Sequence, residues 1–406
     1  MNESILIIGA GHAGVQLAES LRDNGHDGPI TLVDQGAQQP YQRPPLSKDF
    51  VASAKAPEAL PLRSEDFYAQ QRIELLTGVR ATAVDRAART VALSDGQQRG
   101  YDRLVFATGA RNRVLSCPGA EDPRVIGLRT LQDAEILRRQ LTGAQRVVVA
   151  GAGFIGLEFA AAARARGIDA TVLHSAPRVL NRSVSRQLSD WFAQAHRGDG
   201  IELRLGEGVQ SIDAHGDLQV HSTAGESYRA DLVVYGIGVL PNIELAEASG
   251  LACENGILVD AALRTTDERV YAVGDCANFD SDGTRVRLES VQNAADQARS
   301  LARTLCGEPT LYSEVAWFWS IQGRHRLQIA GLAEPTDSVM LLGDPGSGKF
   351  SIARLRDGQL VAVESINRPA DHAAARKLLA SGERITEAML AGASLKELAN
   401  AAPVAA

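Results

Sequence analysis

Two glycine-rich turns in this chain have the residue types and spacing that hold the pyrophosphate of a dinucleotide. They occupy residues 9–14 (GAGHAG) and 151–156 (GAGFIG). In such a turn the first glycine permits a tight bend, the second lets the backbone approach the phosphates, and the third lets helix and strand pack closely. The helix that follows offers backbone amides and the positive end of its dipole to the phosphates. The predicted contacts are Gly9, Gly11, Ala13, Gly14, Gly151, Gly153 and Gly156.

Both turns stand in the strand–turn–helix–strand context that makes this motif specific. An apolar run, Ser4–Ile8, precedes the first turn, and a helical pattern and a second apolar strand, Ile30–Val33, follow it. The same order recurs around the second turn, starting at Arg146–Ala150. Asp34 lies about 20 residues beyond Gly14, where a carboxylate can accept a hydrogen bond from a ribose hydroxyl. Two complete units mean two dinucleotides or a duplicated relic, and two bound dinucleotides usually exchange electrons.

The order of the segments predicts an α/β fold with two Rossmann-like dinucleotide-binding domains, the second inserted in the first. We expect residues 1–109 and 238–314 to form the first domain and residues 110–237 the second. Alternating runs over residues 315–406, followed by helical patterns, predict a small α+β C-terminal domain.

Several predicted strands end on residues that suit a ligand-binding edge. One strand closes on Thr108 and Gly109, its counterpart in the second unit reaches Gly238, and a third delivers Asp275. Because open α/β sheets bind ligands at the carboxyl ends of their strands, we expect these residues at a cofactor. In the third domain, Asp357-Gly358 between two apolar runs indicates a hairpin.

The composition limits the class of protein. The chain has 406 residues and a net charge of -7, which argues against a general nucleic-acid-binding surface. No apolar run reaches the ~18 residues of a membrane span, and the N-terminus lacks the basic region of a signal peptide, so we expect a cytoplasmic protein. Cys117, Cys253, Cys276 and Cys306 form no CxxC pair, which argues against a disulfide framework, a zinc site and a redox-active dithiol.

One further glycine motif does not suit a nucleotide site. Residues 343–349 (GDPGSGK) match the GxxxxGK pattern of a phosphate-binding loop. That loop needs a serine or threonine next, for magnesium, and a helix after it. Phe350 follows instead and the sequence continues as a strand, so we do not expect ATP to bind here.

Six separated motifs follow one another along nearly the whole chain. They are PYQRPPLSK (40–48), LRTLQDA (128–134), GAGFIGLE (151–158), YAVGDC (271–276), ESVQNA (289–294) and WFWS (317–320). In their order they resemble the motifs of the FAD-dependent ferredoxin reductases of bacterial monooxygenase and dioxygenase systems, and PYQRPPLSK is the most specific of them. The resemblance implies a glutathione-reductase-like fold with FAD in the first domain and NAD(P)H in the second.

The resemblance also implies that Lys48, Glu158 and Pro45 shape the site of hydride transfer. Lys48 is expected near flavin N5 and paired with Glu158, because a cation there favours the electron-rich reduced flavin. On a helix surface Glu158 would ordinarily be exposed. Ser290 is expected to cap a helix beginning at Val291, whose positive end would face the N1–C2=O edge of the flavin.

Other residues are expected to contact FAD on the same grounds. The resemblance places Trp317 and Trp319 against the isoalloxazine, with Trp319 preferred, although a place in the hydrophobic core stays open for each. Arg129 matches an arginine that contacts FAD, and its alternative is a surface salt bridge. Asp275 would bind the ribityl or pyrophosphate region, or cap a helix. The remaining predicted cofactor contacts are Asp34, Arg43, Ala81, Thr108, Gly109 and Gly238.

The choice between NADH and NADPH depends on His174. In NADH-using relatives the second strand of this unit usually ends in an acid, whereas here Leu173 is followed by His174. The carboxylate that would hold the ribose 2′-OH and repel a 2′-phosphate is therefore missing. Arg178 and Arg182 lie nearby and could bind a phosphate, yet relatives that prefer NADH also carry an arginine matching Arg178. We expect NADH, with NADPH as the alternative.

The resemblance implies a reductase that takes a hydride from NADH onto FAD and passes single electrons to an acidic two-iron ferredoxin. That ferredoxin would serve a monooxygenase or a ring-hydroxylating dioxygenase. Because opposite charges speed the encounter of two proteins, Arg285, Arg287 and Arg326 are the predicted docking residues. We expect no nucleic-acid partner and no membrane partner.

Three other functions stay open from the sequence. A rubredoxin reductase and a monodehydroascorbate-type reductase would share much of the flavin pocket, and a non-catalytic dinucleotide-dependent regulator would share the fold. A disulfide reductase needs paired cysteines beside the flavin, and residues 41–48 contain none. A peroxide or oxygen reductase of this fold would need one cysteine in the same segment, so the sequence argues against that function too.

Overall fold

The chain divides into two compact units in the computed structural model, which describes residues 2–52, 60–281 and 283–402. The first unit comprises Met1–Gln42, Glu58–Arg111 and Val239–Glu314. The second comprises Arg43–Pro57, Asn112–Gly238 and Val315–Ala406.

The first unit is built on a five-stranded parallel sheet. Every residue of its central strand, Ile5–Ile8, is buried, as expected of a strand covered on both faces. The first glycine turn leaves the carboxyl end of this strand and leads into the helix His12–Asp23, which packs against the helix Val291–Leu305. In spatial order the strands are Val270–Ala272, Arg103–Phe106, Ile5–Ile8, Ile30–Asp34 and Ile73–Thr77.

Smaller elements complete the first unit. An antiparallel sheet consists of Ala81–Asp85, Thr90–Leu93 and Gln98–Gly100. Further pairings join Ile257–Leu258 to Ala277–Ser281 and Thr284–Val286, and Ala110–Asn112 to Val239–Pro241. The short helices are Glu65–Gln70 and Glu244–Ala248, and a 3-10 turn covers Gly274–Cys276.

The second unit repeats this plan. Its parallel sheet has Arg146–Ala150 as the central strand, and the second glycine turn leads from that strand into the helix Phe154–Ala165. In spatial order the strands are Glu202–Leu205, Asp169–His174, Arg146–Ala150, Leu232–Tyr235 and Val125–Gly127. The remaining elements of this part are the helices Leu131–Gln140 and Arg186–Gly198, the antiparallel strands Val209–Asp213, Leu218–Ser222 and Ser227–Ala230, the 3-10 segment Pro44–Ser47 and the short helix Asp49–Ala52.

A five-stranded antiparallel sheet forms the C-terminal part of the second unit. Asp357 and Gly358, at φ of 51° and 72°, turn the chain between Lys349–Arg356 and Gln359–Ile366, which confirms the predicted hairpin. The helix Pro369–Ala380 packs on this sheet. In spatial order the strands are Trp317–Gln322, His325–Gly331, Gln359–Ile366, Lys349–Arg356 and Ser338–Asp344, and the other helices are Glu387–Gly392 and Leu395–Ala401.

The segment at residues 343–349 has no phosphate-binding geometry. Pro345–Ser347 form a single 3-10 turn, capped by Asp344 Oδ1, which accepts from Gly346 N at 2.8 Å. The strand Lys349–Arg356 follows directly where a phosphate-binding loop would have a helix. This agrees with the rejection of the segment as an ATP site.

The two compact units differ from the three predicted domains at two points. Residues 43–57 belong to the second unit, although they were expected in the first domain, and residues 315–406 are not separate from 112–238. The physical reason is the helix Phe154–Ala165, which packs both on Pro44–Ser47 and on the strand Trp317–Gln322. The three-domain boundaries stay a prediction.

The two parallel sheets, each with a glycine turn after its central strand, confirm the predicted α/β fold with two Rossmann-like domains. The C-terminal sheet with its helices confirms the α+β part. Within residues 2–52, 60–281 and 283–402, no helix is both long enough and apolar enough to cross a membrane.

Candidate functional site

The first glycine turn has the shape of a dinucleotide cradle. A Cβ atom at Gly9 would lie 2.2 Å from Ala107 O, and one at Gly14 would lie 1.9 Å from Gly9 O. A Cβ at Gly11 would meet nothing within 4 Å. Protein packing therefore requires glycine at Gly9 and Gly14 but not at Gly11, whose open side suits the close approach of a pyrophosphate.

The second glycine turn repeats this arrangement. A Cβ at Gly151 would lie 2.5 Å from Gly236 O, and one at Gly156 would lie 2.0 Å from Gly151 O. At Gly153 the nearest atom would be 3.8 Å away, which is an ordinary contact. Each turn also delivers the N-terminus of a long helix, so both fit the phosphates of a dinucleotide.

Asp34 and His174 occupy equivalent places at the two turns. Ala10 N donates to Asp34 Oδ2 at 2.7 Å, and Ala152 N donates to His174 Nδ1 at 3.2 Å. In both units the residue that ends the second strand therefore holds the backbone of the glycine turn. Sequence reasoning expected Asp34 to contact a ribose and gave His174 as the position where the second unit lacks that acid. The cofactor contacts of both residues stay predictions.

The two arginines near His174 differ in their surroundings. Arg178 Nη1 and Nη2 donate to Val184 O at 3.1 Å and Asn181 O at 2.6 Å, so this guanidinium holds its own loop. Arg182 is exposed and makes no hydrogen bond or ion pair with the described residues. Burial lowers the pKa of His174 and the nearby charge of Arg182 lowers it further, so the imidazole is neutral at pH 7. Arg182 is therefore the better placed of the two to meet a phosphate.

Lys48 and Glu158 form a buried ion pair within the second unit. Lys48 Nζ lies 2.8 Å from Glu158 Oε2, and the two side chains are 14% and 4% exposed. Ser47 Oγ also donates to Oε2, at 2.5 Å, and Ser320 Oγ donates to Oε1 at 2.6 Å. The structure thus brings together the pair that the resemblance implied. Sequence reasoning missed both serines. The alternative that Glu158 is exposed on the helix surface does not hold, because the residue is buried.

Local sequence explains where the ammonium lies. Pro44 and Pro45 restrict the backbone and begin the 3-10 segment Pro44–Ser47, after which Lys48 N donates to Pro45 O at 3.0 Å. Lys48 Nζ also donates to Pro44 O at 3.1 Å. This segment packs on the helix Phe154–Ala165, which carries the partner carboxylate. Pro45 therefore acts on the position of Lys48, and its predicted contact with the reacting atoms is untested.

The strand Trp317–Gln322 presents its two sets of side chains to different surroundings. Phe318 packs against Phe154 at a ring-centroid distance of 4.5 Å, on the side of Ser320. Trp317 and Trp319 alternate with them and lie 5.6 Å apart, and the Arg376 guanidinium lies 4.5 Å from the Trp317 ring centre. In the sequence, the alternation of the polar Ser320 with aromatic residues indicates that the two faces of this strand have different surroundings. The flavin contact of Trp319 stays a prediction.

The predicted docking arginines are not equally available. The Arg287 side chain is only 8% exposed, its Nη2 lies 2.7 Å from Glu289 Oε1, and its Nη1 donates to Asp275 O at 3.1 Å. Docking through Arg287 is therefore contradicted, because that guanidinium is occupied inside the first unit. Arg285 is exposed, although its Nη1 donates to Val259 O at 2.7 Å. Arg326 is exposed and forms no ion pair with the described residues.

The other predicted contacts of the first unit lie at strand and helix ends. Thr108 N would be 3.2 Å from a Cβ at Gly9, so this strand end adjoins the glycine turn. Gly109 has φ of 65°, and Asp275 lies in the 3-10 turn Gly274–Cys276. Ala81 begins the strand Ala81–Asp85, and its predicted cofactor contact is untested.

The predicted cap of the helix Val291–Leu305 is present. Ser290 precedes the helix, and its Oγ accepts from Asn293 N at 3.0 Å. In the second unit, Arg43 Nη1 donates to Arg129 O at 3.3 Å, which brings two further predicted residues together. Gly238, at φ of 100°, lies against the Arg182 guanidinium.

The cysteines are unsuited to redox chemistry. Burial raises the pKa of each thiol, to about 11 for Cys253, so all four are protonated at neutral pH and are poor nucleophiles. All four are free. In the part of the chain that the structure describes, no group of three His, Cys, Asp or Glu side chains could hold a metal ion.

Comparison with known proteins agrees with this geometry. Residues 3–298 match the family of the pyridine nucleotide-disulphide oxidoreductases, and residues 317–399 match the reductase C-terminal domain. Rhodocoxin reductase of Rhodococcus erythropolis is 47% identical over 387 residues, which cover 94% of this chain and 91% of that protein.

Two solved structures are similar over nearly the whole chain. The ferredoxin reductase for the CYP199A2 system from Rhodopseudomonas palustris has a TM-score of 0.94 and 43% identity, covering 98% of this chain and 100% of that chain. The covalent putidaredoxin reductase–putidaredoxin complex contains a chain with a TM-score of 0.95 and 39% identity, covering 99% of each. The predicted resemblance is confirmed: the chain belongs to the pyridine nucleotide-disulphide oxidoreductase family, whose members bind FAD and NAD(P)H, in the branch of ferredoxin reductases that carry the reductase C-terminal domain.

Proposed function

We propose that this chain is an FAD-dependent reductase that takes electrons from NADH and passes them singly to a two-iron ferredoxin of a monooxygenase or ring-hydroxylating dioxygenase system. The observation that carries the proposal is the buried ion pair between Lys48 and Glu158, whose carboxylate lies on the helix that starts at the second glycine turn. One element therefore offers amides to the phosphates of the electron donor and also positions a buried ammonium. Full-length similarity to reductases of ferredoxins supports the acceptor.

The residues of the chain bind and orient the reactants. Bound FAD supplies the redox chemistry, since it accepts two electrons as a hydride and releases them one at a time. Lys48 contributes a positive charge in a largely water-excluded place, where charge interactions are stronger than in bulk water. Glu158 holds that ammonium through the 2.8 Å ion pair. No side chain has to act as a nucleophile.

The proposed function is tested by following cytochrome c reduction with NADH or NADPH, with and without a two-iron ferredoxin from the same organism. We expect a large rise in rate that depends on the ferredoxin. If the flavin is reduced but the rate of cytochrome c reduction does not depend on ferredoxin, the proposed acceptor is contradicted. Rubredoxin, the ascorbate radical and the regulatory function would then be tested in its place.

Arg182→Ala is expected to lower kcat/KM for NADPH about tenfold and to change kcat/KM for NADH less than about threefold. The exposed, unpaired guanidinium beside His174 can form charge-assisted hydrogen bonds with a 2′-phosphate, each worth about 1.5–3 kcal/mol. NADH has no group to receive them. Steady-state kinetics with both nucleotides provide the measurement.

Arg178→Ala is the matched control for this substitution. Because Arg178 holds the carbonyl groups of Asn181 and Val184, we expect its loss to affect both nucleotides alike. Equal losses for NADH and NADPH in the Arg182→Ala variant would show that Arg182 does not meet the phosphate.

We propose that a ferredoxin docks at the exposed Arg326. Burial lowers the pKa of His372 to about 4, and the nearby positive charges of Arg376 and Arg326 contribute to this shift, so two cationic side chains lie close together here. Arg326→Glu is expected to slow ferredoxin association about tenfold at low salt, and less at high salt, because steering by charge is screened. Stopped-flow association provides the measurement. Arg186→Glu, an 86% exposed arginine with the same change of charge, is the control and should leave the rate within about twofold.

We also propose a cytoplasmic location, which the sequence predicted. The argument is that a ferredoxin and a reduced nicotinamide dinucleotide must both reach the protein. Cell fractionation of the native host tests it, and recovery in the periplasmic fraction would contradict it.

A further inference from the structure

A row of hydrogen bonds leads from the ion pair into the core of the second unit. Ser320 Oγ donates to Glu158 Oε1 at 2.6 Å, and Gln322 Nε2 donates to Ser320 Oγ at 3.1 Å. Gln322 Oε1 lies 2.7 Å from His196 Nε2. Ser320, Gln322 and His196, hereafter the buried row, are each 0% exposed. Buried polar groups at this density are costly unless each finds a partner, so their arrangement requires an explanation.

The buried row is assembled from distant parts of the chain. Alternation along the strand Trp317–Gln322 places Ser320 and Gln322 on one sheet face. His196 comes from the last turn of the helix Arg186–Gly198, and Glu158 comes from the first turns of the helix Phe154–Ala165. The C-terminal sheet thus reaches the ion pair through its edge strand.

The donors of the buried row all point the same way. An amide oxygen only accepts, so His196 Nε2 carries the proton in its bond to Gln322. The amide nitrogen of Gln322 only donates, so Ser320 directs its single proton to the carboxylate. His196 Nδ1 is buried and has no hydrogen-bond partner among the described residues. Burial lowers the pKa of His196, which agrees with a neutral ring.

The two oxygens of Glu158 are held by different segments. Oε2 accepts from Ser47 and faces Lys48, both on the segment that precedes the helix Asp49–Ala52. Oε1 accepts from Ser320. Without the Ser320 hydroxyl, Oε1 would be a buried oxygen without a donor, and the carboxylate could rotate away from the ammonium.

We infer that Ser320, Gln322 and His196 are positioning residues that hold the Glu158 carboxylate, and through it the Lys48 ammonium, in place for hydride transfer. The inference rests on the proposed function and extends it to residues that do not touch the reactants. Hydrogen bonds in series polarise one another, so the outer members strengthen the bond that Ser320 makes to Glu158. The C-terminal domain thereby takes part in the reductive step as well as in any docking.

Ser320→Ala tests the inference in the holoenzyme without ferredoxin. We expect the limiting rate constant for flavin reduction by NADH, measured by stopped flow, to fall about tenfold, which corresponds to about 1.4 kcal/mol. The Kd for NADH should stay within about twofold, because the buried row contacts the ion pair and not the glycine turn. We also expect a more negative flavin midpoint potential, since a displaced ammonium favours the reduced flavin less.

Ser351→Ala is the matched control. Ser351 is also 0% exposed and lies in the same C-terminal sheet, but it donates to Asp371 and is bonded to Ser365. A general loss of packing in this sheet would affect both alanine variants alike. We expect only Ser320→Ala to change the rate constant and the potential, and Ser320→Thr, which keeps the hydroxyl, to restore both.

Gln322→Glu replaces the hydrogen-bond donor to Ser320 by an acceptor while the side-chain volume stays nearly constant. The new carboxylate cannot donate to Ser320 and instead competes with Glu158 for the single hydroxyl proton. We expect a loss of limiting rate at least as large as that of Ser320→Ala and an FAD content close to wild type. The melting temperature should fall, because the variant buries a carboxylate at a 0% exposed position. This variant decides the question if Ser320→Ala loses FAD.

Equal rate constants and potentials in Ser320→Ala and Ser351→Ala would overturn the inference. If NADH reduces the wild-type flavin but ferredoxin does not oxidise it, the proposed acceptor is wrong, whereas the inference about the buried row still stands. If neither NADH nor NADPH reduces the wild-type flavin, the proposed function fails, and the inference fails with it.

Discussion

Replacing Lys48 by methionine is expected to lower the limiting rate constant for flavin reduction by NADH about 100-fold, with FAD retained. Methionine has a similar length but no charge, so the substitution removes the ammonium of a side chain that is only 14% exposed while largely filling its space. Removing one preorganised charge or donor from an active site costs roughly 10²–10³ in rate. Stopped-flow absorbance of the flavin under saturating NADH measures the limiting rate constant directly.

The Lys48 variant keeps part of the support for Glu158. Ser47 and Ser320 still donate to the two carboxylate oxygens, so we expect the helix Phe154–Ala165 to stay in place and the melting temperature to fall only modestly. Lys377→Met, at an exposed position of the helix Pro369–Ala380, is the control for loss of a lysine. A loss of less than about threefold in the Lys48 variant would mean that the ammonium does not serve hydride transfer.

Gly14→Ala is expected to destabilise the first unit by about 3 kcal/mol and to yield protein with little FAD. A Cβ at this position would lie 1.9 Å from the carbonyl oxygen of Gly9, which no rotamer change can relieve. Overpacking of a well-packed site typically costs about 1–3 kcal/mol. We expect a value near the upper end here, because the obstructing atom belongs to the backbone and cannot move aside by a change of rotamer. Thermal or denaturant unfolding of the apoprotein gives the change in the free energy of unfolding.

Gly11→Ala separates the fold from the ligand. Gly11 has an extended backbone conformation at φ of -78°, and its Cβ would meet no protein atom within 4 Å. We expect the stability of the apoprotein to change by no more than about 0.5 kcal/mol, while FAD affinity falls at least tenfold because the methyl group blocks the approach of the pyrophosphate. If the Gly11 variant binds FAD as the wild type does, the first turn is not the pyrophosphate site.

In the two glycine turns, equivalent hydrogen bonds to the backbone are accepted by side chains of different charge. A carboxylate at Asp34 and an imidazole at His174 each accept from the second residue of their glycine turn. The first places a negative charge at its glycine turn, and the second places none. The absence of an acid at His174 therefore changes the electrostatics of nucleotide binding without loosening the turn, and this is why the nucleotide preference is best tested at Arg182.

Local features of this protein were determined by its sequence. The two glycine turns, the strands before them, the Ser290 cap and the Asp357-Gly358 hairpin all form where the sequence predicts them. Each depends on a few consecutive residues, through steric limits on φ and short hydrogen bonds. The family motifs added the Lys48–Glu158 pair, whose members are far apart in the chain.

Only the tertiary structure decided which side chains that are far apart in the sequence come into contact. The sequence contained no signal that Ser320, Gln322 and His196 connect to Glu158, because their strand and helices come together only when the second unit packs. The same packing buries Glu158 against the 3-10 segment Pro44–Ser47 and makes residues 43–57 part of the second unit. In the first unit, burial removes Arg287 from the docking surface. Periodicity predicts which face of an element is apolar, but the partner on that face is chosen by the packing of the whole domain.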